Sequence, residues 1–197
     1  MKKIILFFAL IISMGAVAQT KKSGTTTRKP VTNKTKKVTA KTTPVYDKTT
    51  FVFDIESFFK TKDGSPYAVV SAVGYTQSEL YKKMLVGISK LYNNPDRVIT
   101  KVEDEMLTIN GIDLECAYAG GGLTKMSYQY NIQLFFKDGK IRINVPTITA
   151  SKWGSLDWDS GAPVNRKSLN SSSHNAWINN LIDTFFKSSF GTTNEDW

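Results

Sequence analysis

A lone histidine, a lone cysteine, three successive acids, three successive glycines and two tryptophans set among charges are where this 197-residue chain could do chemistry. Acid–base catalysis by His174 needs a partner acid or nucleophile, and none stands at a recognisable spacing, so His174 reads as a first-turn residue of a helix beside Asn175. Cys116, within the apolar and acidic stretch IDLECAYA, reads as a small buried side chain rather than a nucleophile. Glu103-Asp104-Glu105 has the composition for a hard cation, but neighbouring positions on a strand or turn point apart, so an exposed turn is expected. Gly120-Gly121-Gly122 has neither the GxxxxGK-Ser/Thr pattern nor a helix start, which makes it a flexible hairpin loop rather than a phosphate cradle. Gly-x-Ser-x-Gly, HExxH and metal-spaced Cys or His clusters are absent, so neither enzymatic activity nor a cofactor is expected. A glycosidase built on two carboxylates stays open, because their separation is not legible in a sequence.

The local site candidate is the segment SKWGSLDWDSGAPVNRKSLNSS. It reads as one long irregular loop in which Trp153 and Trp158 stand among Asp157, Asp159, Arg166 and Lys167, suited to stacking on a sugar or gripping a peptide. Folding back over a core edge is the competing role for both tryptophans.

These residues must be held by a sheet. In KMSYQYNIQLFFKDGKIRINV, Met126, Tyr128, Tyr130, Ile132, Leu134 and Phe136 alternate with Ser127, Gln129, Asn131 and Gln133, a period of two that gives one apolar and one polar face. Only Phe135 breaks the pattern. Asp138-Gly139 predicts a type I′ turn, and Ile141, Ile143 and Val145 return against Arg142 and Asn144. The apolar face must be covered and the polar face can meet water. Gln129, Asn131, Gln133, Arg142 and Asn144 are therefore binding candidates, together with Trp153 and Trp158.

The remaining elements follow from spacing. Phe51 to Ile55 and Tyr67 to Tyr75 read as strands. Thr76 with Glu79 is a capping box opening a helix whose stripe is Leu80, Met84, Ile88 and Leu91, stopped by Asn93-Asn94-Pro95. Arg97 to Val102 and Met106 to Cys116 are two more strands. A last helix starts at Ser172 or Ser173 and carries Trp177, Ile178, Leu181, Ile182, Phe185 and Phe186, ending at Lys187 and Gly191. The expected fold is α+β: an antiparallel sheet of five to six strands with two helices packed on one face, in the order strand, helix, four strands, helix.

The chain opens with Lys2-Lys3, an apolar run from Ile4 to Ile12 and Ala16-Val17-Ala18, which predicts a signal peptide over residues 1–18. No cysteine follows the run, so no lipid attachment is expected, and export to the periplasm or beyond the cell is. The formal charge of +9 is uneven: Thr20 to Lys48 holds nine basic residues and one acid, whereas Thr49 to Trp197 holds 15 basic and 16 acidic residues. Residues 19–48 thus read as a disordered Lys/Thr-rich tether, able to rest on anionic surfaces. Residues 49–197 read as a single domain with no basic character to attract nucleic acid.

The run VVSAVGYTQSELYKKML, then DRVITKVEDEMLTINGI, then YQYNIQLFFKDGKIRINV resembles a secreted bacterial domain-of-unknown-function family with a TBP-like fold. The features that carry it are Leu80-Tyr81 in the first helix, the acidic turn Glu103 to Glu105, and the Lys137 to Lys140 hairpin. Val86-Gly87-Ile88 stands where that family is expected to carry a tryptophan. The resemblance implies the fold and brings no activity or catalytic residues with it, and TBP likeness does not imply DNA binding. The expected function is a non-enzymatic envelope module that binds a protein or surface polymer through the polar sheet face and the tryptophan loop. The alternative is a periplasmic carrier of a small ligand or lipid, in an apolar pocket between the sheet and the last helix.

Overall fold

The computed structural model describes residues 40–163 and 165–191. The signal peptide and most of the expected tether lie outside them. The described part of that tether is already folded. Pro44 and Tyr46 are buried, Thr42 N donates to the Val73 carbonyl at 2.9 Å, and the Tyr46 hydroxyl donates to Asn179 at 2.6 Å. The ordered chain therefore begins before residue 49, because one aromatic ring and one hydroxyl find partners that a composition of lysine and threonine does not announce.

The first two strands, β1 (Phe51–Asp54) and β2 (Phe58–Thr61), form a small antiparallel pair of their own. The main sheet has seven strands: β3 (Tyr67–Ser71), β4 (Ile99–Val102), β5 (Met106–Ala119), β6 (Thr124–Lys137), β7 (Lys140–Asn144), β8 (Thr147–Trp153) and β9 (Asp159–Ser160). Its antiparallel path runs β3-β7-β6-β5-β4. The central strand β6 is flanked on one side by β5 and on the other by β7 and then β8, which follow each other along it. Pro146, buried between them, cannot donate to a ladder and divides the return strand in two. That break, the two-residue β9 and the extra β2 raise the strand count above the one read from the sequence.

Helix α1 (Gln77–Ser89) starts at the expected capping box, with the Thr76 side chain accepting from Glu79 N and the Glu79 side chain accepting from Thr76 N. It buries Leu80, Tyr81, Met84 and Ile88, and it ends one turn early, leaving Leu91 exposed. Pro95 opens a single turn, α2 (Pro95–Val98), where a strand was expected to begin. Helix α3 (Ser171–Phe190) is capped by Asn170, whose side chain accepts from Ser173 N, rather than by Ser172 or Ser173. Among the described residues, no helix is long and apolar enough to cross a membrane.

α1 and α3 lie together on the face of β6 carrying Met126, Tyr128, Tyr130, Ile132, Leu134 and Phe136, all buried. Two close approaches shape this layer. A Cβ on Gly111 would stand 2.2 Å from the Tyr130 ring, so only glycine lets that ring lie across β5, where its hydroxyl meets that of Tyr92 at 2.8 Å. A Cβ on Gly87 would stand 2.3 Å from Ser189 Oγ, so the two helices cross at a point that admits no side chain.

Candidate functional site

Strand parity decides which residues share the uncovered face. On β6, Gln129, Asn131, Gln133, Phe135 and Lys137 point away from the helices, and the register places Ile112, Asn110, Thr108 and Met106 of β5 beside the first four. Arg142 lies opposite Phe135 and Lys140 opposite Lys137 on β7, with Tyr67 and Val69 of β3 beside Asn144 and Arg142. The five polar candidates Gln129, Asn131, Gln133, Arg142 and Asn144 thus stand together on one face, each half-buried among its neighbours. Two amide pairs cross the strands: Asn131 donates to Asn110 at 2.7 Å and Asn144 donates to Gln133 at 2.9 Å. Each pair keeps a spare donor and a spare acceptor.

The face is less polar than the alternation predicts. Tyr67 and Val69 are exposed on it, and Phe135 lies under Arg142, whose guanidinium carbon is 4.1 Å from that ring centroid and 5.3 Å from the Tyr67 ring. Such stacking stabilises a cation by about 0.5–2 kcal/mol. Arg142 Nε is buried with no hydrogen-bond partner among the described residues, and none of their ion pairs includes Arg142. An unsatisfied buried donor costs about 1–3 kcal/mol. A groove of about 530 Å³ runs along Arg142 past Lys137, Lys140 and Glu105. A second, of about 390 Å³, continues over Gln133, Asn144 and Asn131, and Tyr67 and Arg142 line both. Tyr67, Phe135, Lys137 and Lys140 were missed as site residues. Phe135 carried a signal, an aromatic ring at a position the alternation gives to solvent.

Trp153 does not join this face, and Trp158 lines neither of its two grooves. Trp153 is on β8, not in a loop, and pairs with Met126, which turns it toward the helix side and against the core. Trp158 is exposed in the turn before β9. A separate groove of about 420 Å³ is lined by Trp153, Ser151, Asp159 and Asn165 but not by Trp158. The long irregular segment is instead a β8–β9 hairpin followed by a loop, and Arg166 from that loop donates to the carbonyls of Ile55 and Glu56, closing over the β1–β2 turn.

The other chemical candidates have structural partners. Asp104 accepts from Ser78 Oγ at 2.9 Å through its side chain and from Gln77 Nε2 through its carbonyl, which ties the acidic turn to the start of α1. Among the described residues no three His, Cys, Asp or Glu side chains converge as metal ligands. Burial pushes the Cys116 thiol far above its ordinary value, so it stays protonated and weakly nucleophilic at neutral pH. His174 is fully buried; Nδ1 donates to the Asn170 carbonyl at 2.7 Å, which leaves Nε2 to accept from the Tyr128 hydroxyl at 2.7 Å. Gly120–Gly122 is a short turn joining β5 to β6.

No protein-family model matches the chain. No curated protein matches it. Two solved structures are similar to it. A TBP-like protein from Parabacteroides distasonis is 10% identical, with a TM-score of 0.45 over 62% of this chain and 90% of that one. A DUF4468 family protein from Bacteroides ovatus is 11% identical, with a TM-score of 0.45 over 66% of this chain and 86% of that one. Their names agree with the resemblance to an uncharacterised TBP-like family read from the sequence. Overlap of this extent carries no activity or partner across, and the site rests on its own residues.

Proposed function

We propose that the chain is a non-enzymatic exported module that binds a protein or a surface polymer through the open face of its sheet. The supporting observation is that face itself: four half-buried amide side chains, two aromatic rings and an arginine with no ion pair among the described residues stand on it, with no described element packed over them. Surface that is neither covered nor uniformly charged suits recognition, with aromatic and arginine anchors inside a polar rim. The signal-like composition of residues 1–18 supports the export in this reading, and the basic composition of residues 20–48 supports a weak attraction to anionic surfaces. Affinity capture from envelope extracts tests this. Wild type recovers a partner that the combined Gln133→Ala, Arg142→Ala and Asn144→Ala variant does not, while a Trp153→Ala, Trp158→Ala variant shows whether the β8–β9 hairpin adds to binding. Equal recovery by the open-face variant removes the proposal.

A second reading, a carrier of a small apolar ligand, draws on a groove of about 650 Å³ between β5 and α3, walled by Tyr92, Trp177, Leu181 and Phe185. Native mass spectrometry after mild extraction separates the two, since a carrier retains ligand mass.

A further inference from the structure

The groove at Arg142 has a charge pattern that calls for an anion. Three cations of the open face, Lys137, Lys140 and Arg142, line it against one acid, Glu105. Lys137 and Lys140 stand directly opposite each other across the β6–β7 hairpin, an arrangement of like charges that disfavours the bare protein. No ion pair among the described residues neutralises any of the three. Arg142 is also held in place: its guanidinium carbon lies 4.1 Å from the Phe135 ring centroid, and no hydrogen bond or ion pair among the described residues occupies its terminal N–H groups, which suit a planar, two-oxygen acceptor such as a carboxylate.

The same groove leads onto the amides of Gln133, Asn144 and Asn131 and past the exposed ring of Tyr67. Spare amide donors and acceptors side by side match hydroxyl groups, which both donate and accept, and an exposed aromatic ring offers a flat apolar surface to a sugar. An acidic peptide fits less well. A peptide that adds as a strand needs a free strand edge, whereas Arg142 lies on β7, whose backbone is already paired with β3 on one side and β6 on the other.

We propose that this groove binds an acidic saccharide, with Arg142 taking a sugar carboxylate, Lys137 and Lys140 supplying the surrounding positive field, and Gln133, Asn144 and Tyr67 receiving the ring. This rests on the open face being the binding surface and names the chemistry it recognises.

Calorimetric titration of the purified full chain tests it with four probes: trigalacturonic acid, its methyl ester, a hexaglutamate peptide and inorganic phosphate. The expected result is that trigalacturonic acid binds at least about 10-fold tighter than the ester, the peptide or phosphate, and that added salt weakens it. Arg142→Gln and the exposed Lys140→Glu each reduce that affinity by about 10-fold, while Trp158→Ala leaves it unchanged. Lys140→Glu keeps the test informative if Arg142→Gln does not fold. Equal binding of acid and ester that also survives Lys140→Glu overturns the carboxylate site and leaves the open face as a neutral-sugar surface. Tighter binding of hexaglutamate or phosphate, or no saccharide binding by a protein that still captures its envelope partner, overturns the saccharide assignment without touching the broader function.

Discussion

His174 and Asn179 show how single polar side chains hold this core together. Neutral His174 satisfies both ring nitrogens, one through Asn170 and one through Tyr128, inside a shell formed by the rings of Phe53 and Phe58. Burial holds its pKa below the ordinary 6.5. The unfolded chain therefore binds a proton that the folded chain refuses, and stability is lost as pH falls below about 6.5 toward the folded value. Thermal melts between pH 7.5 and 5.5 should show a falling Tm in wild type, and a His174→Gln variant should lose most of that slope. Asn179 pairs its side chain with both the N–H and the carbonyl of Phe51 and accepts from Tyr46, acting as a strand partner supplied by a helix. Asn179→Ala leaves buried groups unpaired and should cost about 2–4 kcal/mol in chemical denaturation, since each orphaned group costs about 1–3 kcal/mol. Gly111→Ala drives a methyl into Tyr130 and should cost about 1–3 kcal/mol by overpacking. The need for glycine here is invisible in sequence, because it comes from a ring on the neighbouring strand.

Among the elements, those with strong local codes were legible. The Thr76–Glu79 box gave α1, the apolar spacing gave α3, and the alternation of β6 and β7 gave the central hairpin with its faces the right way round. The turn between those strands is not the expected type I′, since only Gly139 has a left-handed φ of 72° and Asp138 does not. Asp138 accepts from Gln77 N at 2.7 Å at the start of α1, while Gly139 bonds Ala72 and Tyr75, so contacts distant in sequence set the turn. Strand β8 escaped notice because Ile148 and Ala150 are its only apolar residues before Trp153, and Thr149 is spent in a register shift opposite Gln129 and Tyr130. The helix crossing at Gly87 was equally hidden. Gly87→Ala forces the α1 and α3 backbones apart at Ser189, and it should lower Tm by more than alanine's better helix propensity, about 1 kcal/mol, raises it.

For the molecule as a whole, a two-faced layer organises everything: two helices and the β1–β2 pair on one side of the sheet, a groove-bearing face on the other. Five of the seven binding candidates read from the sequence share that open face, because parity along a strand is a local property. Trp153 does not share it, because where it points depends on its pairing with Met126, which no local pattern encodes. Site-specific photo-crosslinking in the producing cells tests the central claim most directly, with a diazirine side chain at Asn131 on the open face or at exposed Lys82 on α1. Adducts of higher mass should form from position 131 and not from position 82. Adducts from position 82 alone, or equally from both, would mean that the open face is not the binding surface.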